Sequence, residues 1–335
     1  MNLLQGKTNS VGKGRKRMAS MSDEEMRGMF PSLPLISGSA ANRDRMFTLE
    51  QTFFLFLWQI LSLSSCSAAV QRALMRLSLS GKGKASPSTS GYCQARDRIP
   101  EELLGRILAG TSEALESRAD KCRLWRGRIV KIVYGTSVSM PDTPENQTEY
   151  PQPSGQKPGC GFPIMRILAV FSLATGALLS YAKGSLHMGE NTLLGKMASA
   201  FSSGDILLAD RGFCSYAIIA GLMGESVDIL IRMREKMIKS YVVTRKLGKK
   251  DFLIRWRRPA SIRNKQGLPE ELCLRMTKYR INIRGFRTKE ITVLTTLADH
   301  ILFPPESFAE LYLRRWNAEI NLRHLKTTMG MDILK

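Results

Sequence analysis

Seven residues near the end of the chain, Phe308, Leu311, Tyr312, Arg315, Glu319, Leu322 and Lys326, recur at helical spacing and fall on one stripe. The helix that carries them is predicted over 304–329, with Pro305 in its first turn and Gly330 just past its end. A neighbouring stripe, Leu313, Trp316 and Ile320, is apolar, so most of this helix is expected to be buried. Placing Arg, Glu and Lys in a core-directed stripe is costly unless partners, a metal or a ligand compensate them. A structural ion-pair ladder is the alternative. A second place for chemistry is Asp205-Ile-Leu-Leu-Ala-Asp210, a short apolar run with a carboxylate at each end. Other constellations are weaker. His187 and His324 have no Cys or Ser nucleophile at readable spacing, and Gly159-x-Gly161 lacks the third glycine and following helix of a nucleotide-binding turn. The six cysteines form no Cys-x-x-Cys pair, which argues against a disulfide framework or a structural zinc site. Phe53–Trp58 reads as helix core, and Glu190 as the start of a helix near the site, where the helix dipole equally explains a carboxylate.

The elements that must position these residues change character along the chain. Residues 1–45 contain Gly, Ser and the basic knot Lys13-Gly-Arg-Lys-Arg17, and read as a flexible basic arm. Apolar residues at helical spacing from Thr48 to Leu79 and from Arg98 to Arg118 predict a helical N-terminal domain over 46–122. From 123 onward the period changes. Ile129–Val133, Phe162–Leu173 and Ala177–Lys183 are strand-like with a turn at Gly176, Glu190–Ser202 and Tyr216–Met223 are helical, and Asp205–Asp210 and Val227–Ile231 are short buried strands. This alternation predicts an α/β domain containing parallel strands. Between about 235 and 300 a β-rich insertion is expected, with strands at Ser240–Val243, Phe252–Trp256 and Ile281–Ile283.

Charge narrows the class of partner. The 335 residues hold 50 Lys and Arg against 29 Asp and Glu, a net charge of +21. The stretch from Arg232 to Lys289 contains nineteen of the cations and only four acids, so most of the excess is concentrated in the insertion. A concentrated basic surface points to nucleic acid before anionic membrane, the alternative being a solvated β-surface. The longest apolar runs, Phe53–Leu63 and Ile167–Leu179, are shorter than a membrane span requires.

Three segments in order resemble the DDE transposases of the insertion sequence 4 family. They are Tyr134-Gly-Thr-Ser-Val-Ser-Met-Pro-Asp-Thr-Pro-Glu-Asn146, Asp205-Ile-Leu-Leu-Ala-Asp-Arg-Gly-Phe-Cys-Ser-Tyr216, and Tyr312-x2-Arg315-x3-Glu319-x6-Lys326. Ser65–Val70 and Tyr92–Arg96 are similar to the family's N-terminal domain, so the likeness covers roughly residues 45 to 335. The resemblance implies a ribonuclease H-like mixed sheet flanked by helices, where acids from a central strand, another strand's end and a helix converge. It further implies cut-and-paste DNA transposition by phosphodiester cleavage and strand transfer, with Mg2+ or Mn2+ bound by carboxylates. Asp210 and Glu319 match the second and third acids, and Tyr312, Arg315 and Lys326 match residues at the DNA phosphates. The implied partner is double-stranded DNA at terminal inverted repeats, with a homodimer on paired ends and a cytoplasmic, nucleoid-associated location.

The first acid departs from the pattern. Where the family carries Asp-Gly-Thr, this chain reads Tyr134-Gly135-Thr136. A phenol is neutral at pH 7 and a poor ligand for a hard cation. Asp142 lies eight residues on, and only a tight hairpin could return it to the first position. The expected reading is therefore a transposase-like protein with broken catalysis; the rival is a non-catalytic DNA-binding protein that recognises the same ends. A basic RNA-binding nuclease relative is the third reading. The sequence ends nine residues after Lys326, where the family generally continues into further helix, which implies a shortened copy.

Overall fold

The computed structural model describes residues 16–17, 20–30, 46–79, 86–234, 241–262, 264, 266–281 and 289–315. These fall into two compact units that divide between Ser117 and Arg118. The first is helical: α1 (Asp23–Gly28), α2 (Leu49–Ser62), α3 (Cys66–Leu79), α4 (Ser90–Asp97) and α5 (Glu101–Ser117). Thr48 caps α2 by accepting from the Gln51 backbone N–H while the Gln51 side chain accepts from the Thr48 N–H. Leu63, in the left-handed region at φ 55°, ends α2 and divides the single periodic run of the sequence into two helices. Met26 of α1 is fully buried against Phe53, Phe54, Leu103 and Ile107. The reading of 1–45 as an arm therefore does not extend over residues 22–30. Apolar side chains of α2 and α5 enclose that short segment.

The second unit is built on one nine-stranded sheet, in the order β3-β2-β1-β4-β5-β9-β8-β7-β6. Its first half comprises β1 (Val130–Ser139), β2 (Ile164–Ser172), β3 (Leu178–Ser185), β4 (Ile206–Ala209) and β5 (Asp228–Arg232). β1, β2 and β3 form an antiparallel meander, and β4 and β5 add parallel to β1. With helices on both faces, this is a ribonuclease H-like arrangement. Gly176, at φ 75°, makes the turn between β2 and β3 where the sequence expects it. On one face Val133, Leu168, Leu207, Ala209, Ile229 and Ile231 pack with Leu193 and Leu194 of α7 (Glu190–Lys196) and Ile219 of α8 (Tyr216–Gly224). The short α6 (Pro144–Glu149) follows β1. The helical reading of 190–202 is shortened, because α7 stops at Lys196 and a 3-10 turn covers Ala198–Ala200.

The basic insertion continues this sheet: β6 (Tyr241–Gly248), β7 (Asp251–Arg257), β8 (Glu271–Ile281) and β9 (Lys289–Thr295), with β9 antiparallel to β5. The sequence reading places strands correctly near 241 and 252 but puts the next at 281–283, where β8 already ends. In β8, Leu272, Leu274 and Met276 join the core on the α7–α8 face. Arg275 points to the other face, fully buried beneath α9 (Pro305–Arg314), with its guanidinium 5.1 Å from the Phe308 ring centroid. It donates to both Asp251 carboxylate oxygens, at 2.8 and 2.6 Å, and to the carbonyls of Leu297, Asp299 and Phe303. Trp125, at the start of the unit, stacks on Phe303 with centroids 5.6 Å apart, closing the same corner.

A buried guanidinium without its carboxylate leaves an uncompensated charge. Asp251→Ala is expected to destabilise this unit by about 3–5 kcal/mol, read by thermal denaturation as a fall on the order of 10 °C. A change of a degree or two would show that the backbone carbonyls alone hold Arg275.

Candidate active site

The site is assembled from strand ends and α9. β1 and β4 run parallel with Val130 beside Ile206 and Ile132 beside Leu208. Extending that register by two residues sets Tyr134 level with Asp210, and strand alternation turns both toward the α9 face. Asp210 ends β4 and leads into a 3-10 turn, Arg211–Phe213, with the Phe213 N–H donating to the Asp210 carbonyl. The run's other carboxylate does a different job. Asp205 is buried at the opposite end of β4, where it pairs with Lys131 at 2.6 Å and accepts from the Ser202 N–H. Of the two acids that bracket the strand, one is consumed by the fold and one is held at the site.

Tyr312 of the α9 stripe reaches Asp210, and Arg315 lies beside the Tyr312 ring. The Tyr312 hydroxyl donates to Asp210 Oδ1 at 3.3 Å, and the Arg315 guanidinium lies 5.5 Å from the Tyr312 ring centroid. Phe308, Leu311, Tyr312 and Arg315 are all buried, as the stripe predicts. Glu319, Lys326 and His324, with the helix beyond Arg315, lie outside the described residues. His187 is exposed. Asp142 is also exposed, and its Oδ1 accepts from Gln147 Nε2 at 2.7 Å. β1 continues unbroken to Ser139, about 17 Å beyond Tyr134 at the rise of a strand, so no hairpin folds Asp142 back. The strand takes up most of the interval between Tyr134 and Asp142.

Glu190, at the start of α7, approaches the same strand end from the other face. Its Oε1 lies 2.0 Å from where a Cβ on Gly135 would sit, and its Oε2 lies 3.6 Å from the corresponding point on Gly212. Gly135 therefore leaves room for a carboxylate against β1. Arg232 at the end of β5 is half-buried and its charge acts on the Tyr312 phenol. Sequence reading passed over Arg232, which it took only as part of the basic excess. The available signal was its position at the end of a buried strand, level with the acid-bearing end of β4.

Burial pushes the Tyr312 phenol up to about 12, with Arg315 and Arg232 opposing and the Asp210 carboxylate reinforcing the rise. A tyrosine in the unfolded chain ionises near 10. Between about pH 10 and 12 the unfolded state loses this proton first, so the stabilisation is complete below pH 10 and is lost as the pH climbs toward 12. Tyr312→Phe is expected to flatten that part of the stability–pH curve and to delete one phenolate absorbance step near pH 12. Persistence of that step in the variant would assign it elsewhere.

Residues 125–335 match the family model described as "Transposase DDE domain". Over 298 residues the chain is 26% identical to "Transposase InsG for insertion sequence element IS4" of Escherichia coli (strain K12), covering 88% of this chain and 65% of that protein. Over 154 residues it is 28% identical to "Putative transposase InsZ" of the same organism, covering 44% of this chain and 50% of that protein. The chain thus spans less than two thirds of the length of either relative. With the family model covering the whole α/β unit and the ribonuclease H-like sheet holding Asp210 beside Tyr312 and Arg315, this chain belongs to the transposase DDE-domain family.

Proposed function

We propose that this chain binds element-end DNA as an insertion-sequence transposase, and that its cut-and-paste chemistry, metal-dependent phosphodiester cleavage and strand transfer, is disabled at the first acidic position. The observation that carries this reading is the Asp210–Tyr312–Arg315 constellation set level with Tyr134. Double-stranded DNA at terminal inverted repeats is the partner, and two copies on paired ends, in the cytoplasm at the nucleoid, belong to the same proposal. The domain assignment that goes with it is a DNA-recognising helical region over 46–122 and a DDE domain over 123–335.

The family's cations, Mg2+ or Mn2+, would polarise the phosphodiester and stabilise its entering and leaving oxygens. The described donors do not fit a pair of such ions. Asp210 is the carboxylate on the α9 face, Glu190 approaches from the other face, Tyr134 and Tyr312 are phenols, and no three His, Cys, Asp or Glu side chains converge among the described residues. What the chain's own groups do is orient and neutralise. Tyr312 fixes one oxygen of Asp210, Arg315 and Arg232 place positive charge at the end of β4 and β5, and Glu319 and Lys326 complete the motif in sequence. Exposed Arg245, Lys246 and Lys249 on and beside β6 extend the positive surface, whereas Arg257 and Arg258 are drawn into pairs with Glu271 and Glu270.

Two measurements test the reading. With a duplex carrying the terminal repeat of the chain's own element and either Mg2+ or Mn2+, the unmodified chain is expected to leave the DNA intact, Tyr134→Asp to cut it, and Tyr134→Asp with Glu319→Ala to leave it intact. Cutting by the unmodified chain would show that another acid supplies the missing ligand. Binding to the same duplex is expected to weaken by at least about 1,000-fold between 50 and 200 mM salt if six or more phosphates are neutralised. A flat salt response would remove the insertion from the interface.

A further inference from the structure

In the helical unit two side-chain donors converge on one sulfur. Cys66, the first residue of α3, accepts at its Sγ from Gln59 Nε2 and from Arg96 Nη1, each at 3.5 Å. The Tyr92 hydroxyl donates to Gln59 Oε1 at 2.8 Å, which turns the amide nitrogen of Gln59 toward the sulfur. The Arg96 guanidinium lies over the rings of Phe56 and Tyr92, 5.1 and 5.7 Å from their centroids. Tyr92 and Arg96 both belong to α4, and Cys93 stands between them, next to Tyr92 and one helical turn before Arg96. The residues that bracket Cys93 are thus both tied by hydrogen bonds into the cluster around Cys66. Burial raises the Cys93 thiol above its ordinary range, and the adjacent Cys66 sulfur adds to the rise.

Cys66 and Cys93 are both partly exposed, so a small oxidant can reach them. A guanidinium beside a sulfur is the setting in which a thiol reacts as a nucleophile. Cys122, Cys160 and Cys273 are more exposed, but no such donor meets their sulfurs among the described residues, and the Asp120 carboxylate beside Cys122 raises its thiol. Cys214 is buried. We propose that Cys66 and Cys93 are a redox-sensitive thiol pair, oxidised by hydroperoxides to a disulfide that ties the start of α3 to α4. The Cys66 sulfur attacks the peroxide, the O–O bond breaks as an S–O bond forms, and the peroxide leaves as water or an alcohol with the thiol proton. The Cys93 sulfur then displaces the hydroxyl of this sulfenic acid, an S–S bond forms, and the hydroxyl leaves as water with the Cys93 proton. The pair thereby gives two electrons to the peroxide. Bridging takes the Cys66 acceptor away from Gln59 and Arg96, so oxidation rebuilds the polar cluster between α2, α3 and α4. The inference concerns the helical unit by itself and does not rest on the DNA-binding reading.

The test is a titration of the full chain with hydrogen peroxide, followed by alkylation of the remaining thiols, digestion and mass spectrometry. Of the six thiols, those of Cys66 and Cys93 are expected to disappear first. Their two peptides should appear joined, about 2 Da lighter than their sum, and a thiol reductant should restore both. Cys93→Ser is expected to stop at a sulfenic acid on Cys66 that dimedone captures, and Arg96→Gln to slow the first step about tenfold. First reaction at Cys122, Cys160 or Cys273 would overturn the assignment of Cys66. Oxidation of Cys66 without a link to Cys93 would overturn the pair, and an unchanged rate in Arg96→Gln would overturn the role of the guanidinium. Peptide mapping of the unmodified chain decides the first two points even if a variant fails to fold.

Discussion

The buried Arg275–Asp251 pair is the interaction on which the site's geometry depends. One guanidinium ties adjacent strands of the insertion together through Asp251 and gathers three carbonyls from the loop that precedes α9. Its flat face meets Phe308, a turn before Tyr312 on the same helix stripe. A point ammonium could not serve both the bidentate carboxylate and the ring, so arginine is the residue type this corner requires. The position of α9 across the sheet is set here, and with it the reach of Tyr312 to Asp210. An insertion that looks like an ornament in the sequence thus fixes the register of the helix that closes the site.

The same pair shows why net charge is a coarse guide to function. The insertion's excess of cations reads as one basic surface, yet its members have separate fates. Arg275 is wholly internal, Arg257 and Arg258 are occupied by Glu271 and Glu270, and Lys250 pairs with Glu290 at 2.5 Å. Exposed pairs of this kind contribute little to stability, but they subtract from the field available to a polyanion. Among the described residues, much of the remaining charge lies on β6, an edge strand, and around the cleft beside Tyr279. Cations on an edge strand also discourage pairing with another sheet edge, so the arrangement serves solubility whatever binds there.

The ribonuclease H-like half of the sheet was legible because its strands are short, apolar and separated by strong punctuation. Asp205–Asp210 is an example, with four buried residues between two acids. Asp210, Tyr312 and Arg315 were legible through ordered motifs, and the structure brings these three together. What the sequence did not disclose was which face would be covered. In β8 the alternation of Leu272, Leu274 and Met276 with Cys273, Arg275, Thr277 and Tyr279 is plain in retrospect, but a polar set in a strand ordinarily reads as a solvent face. Here α9 lies over it, and a contact between 275 and 308 is set by tertiary packing that no local period encodes. The two acids of Asp205–Asp210 were likewise equivalent in sequence. Only the partner of Asp205, Lys131 on the adjoining strand, separates a structural carboxylate from the one at the candidate site.

Tyr134 suits its place in the fold. An aromatic residue at a half-buried position in a strand paired antiparallel to β2, just beyond the parallel ladder with β4, has favourable strand propensity, whereas an aspartate there is disfavoured. A second carboxylate level with Asp210 would also add like-charge repulsion in a partly desolvated corner, unless a cation intervened. On the proposed reading, a phenol in place of an acid relieves two local costs while leaving one ligand fewer for a metal. Stability and chemistry pull in opposite directions at this position, as they do wherever an active site holds charges together against their preference. The Asp210–Tyr312 hydrogen bond, the Arg275 corner and the Gly135–Glu190 approach do not use the first acid at all, which is why the surrounding scaffold persists around a phenol.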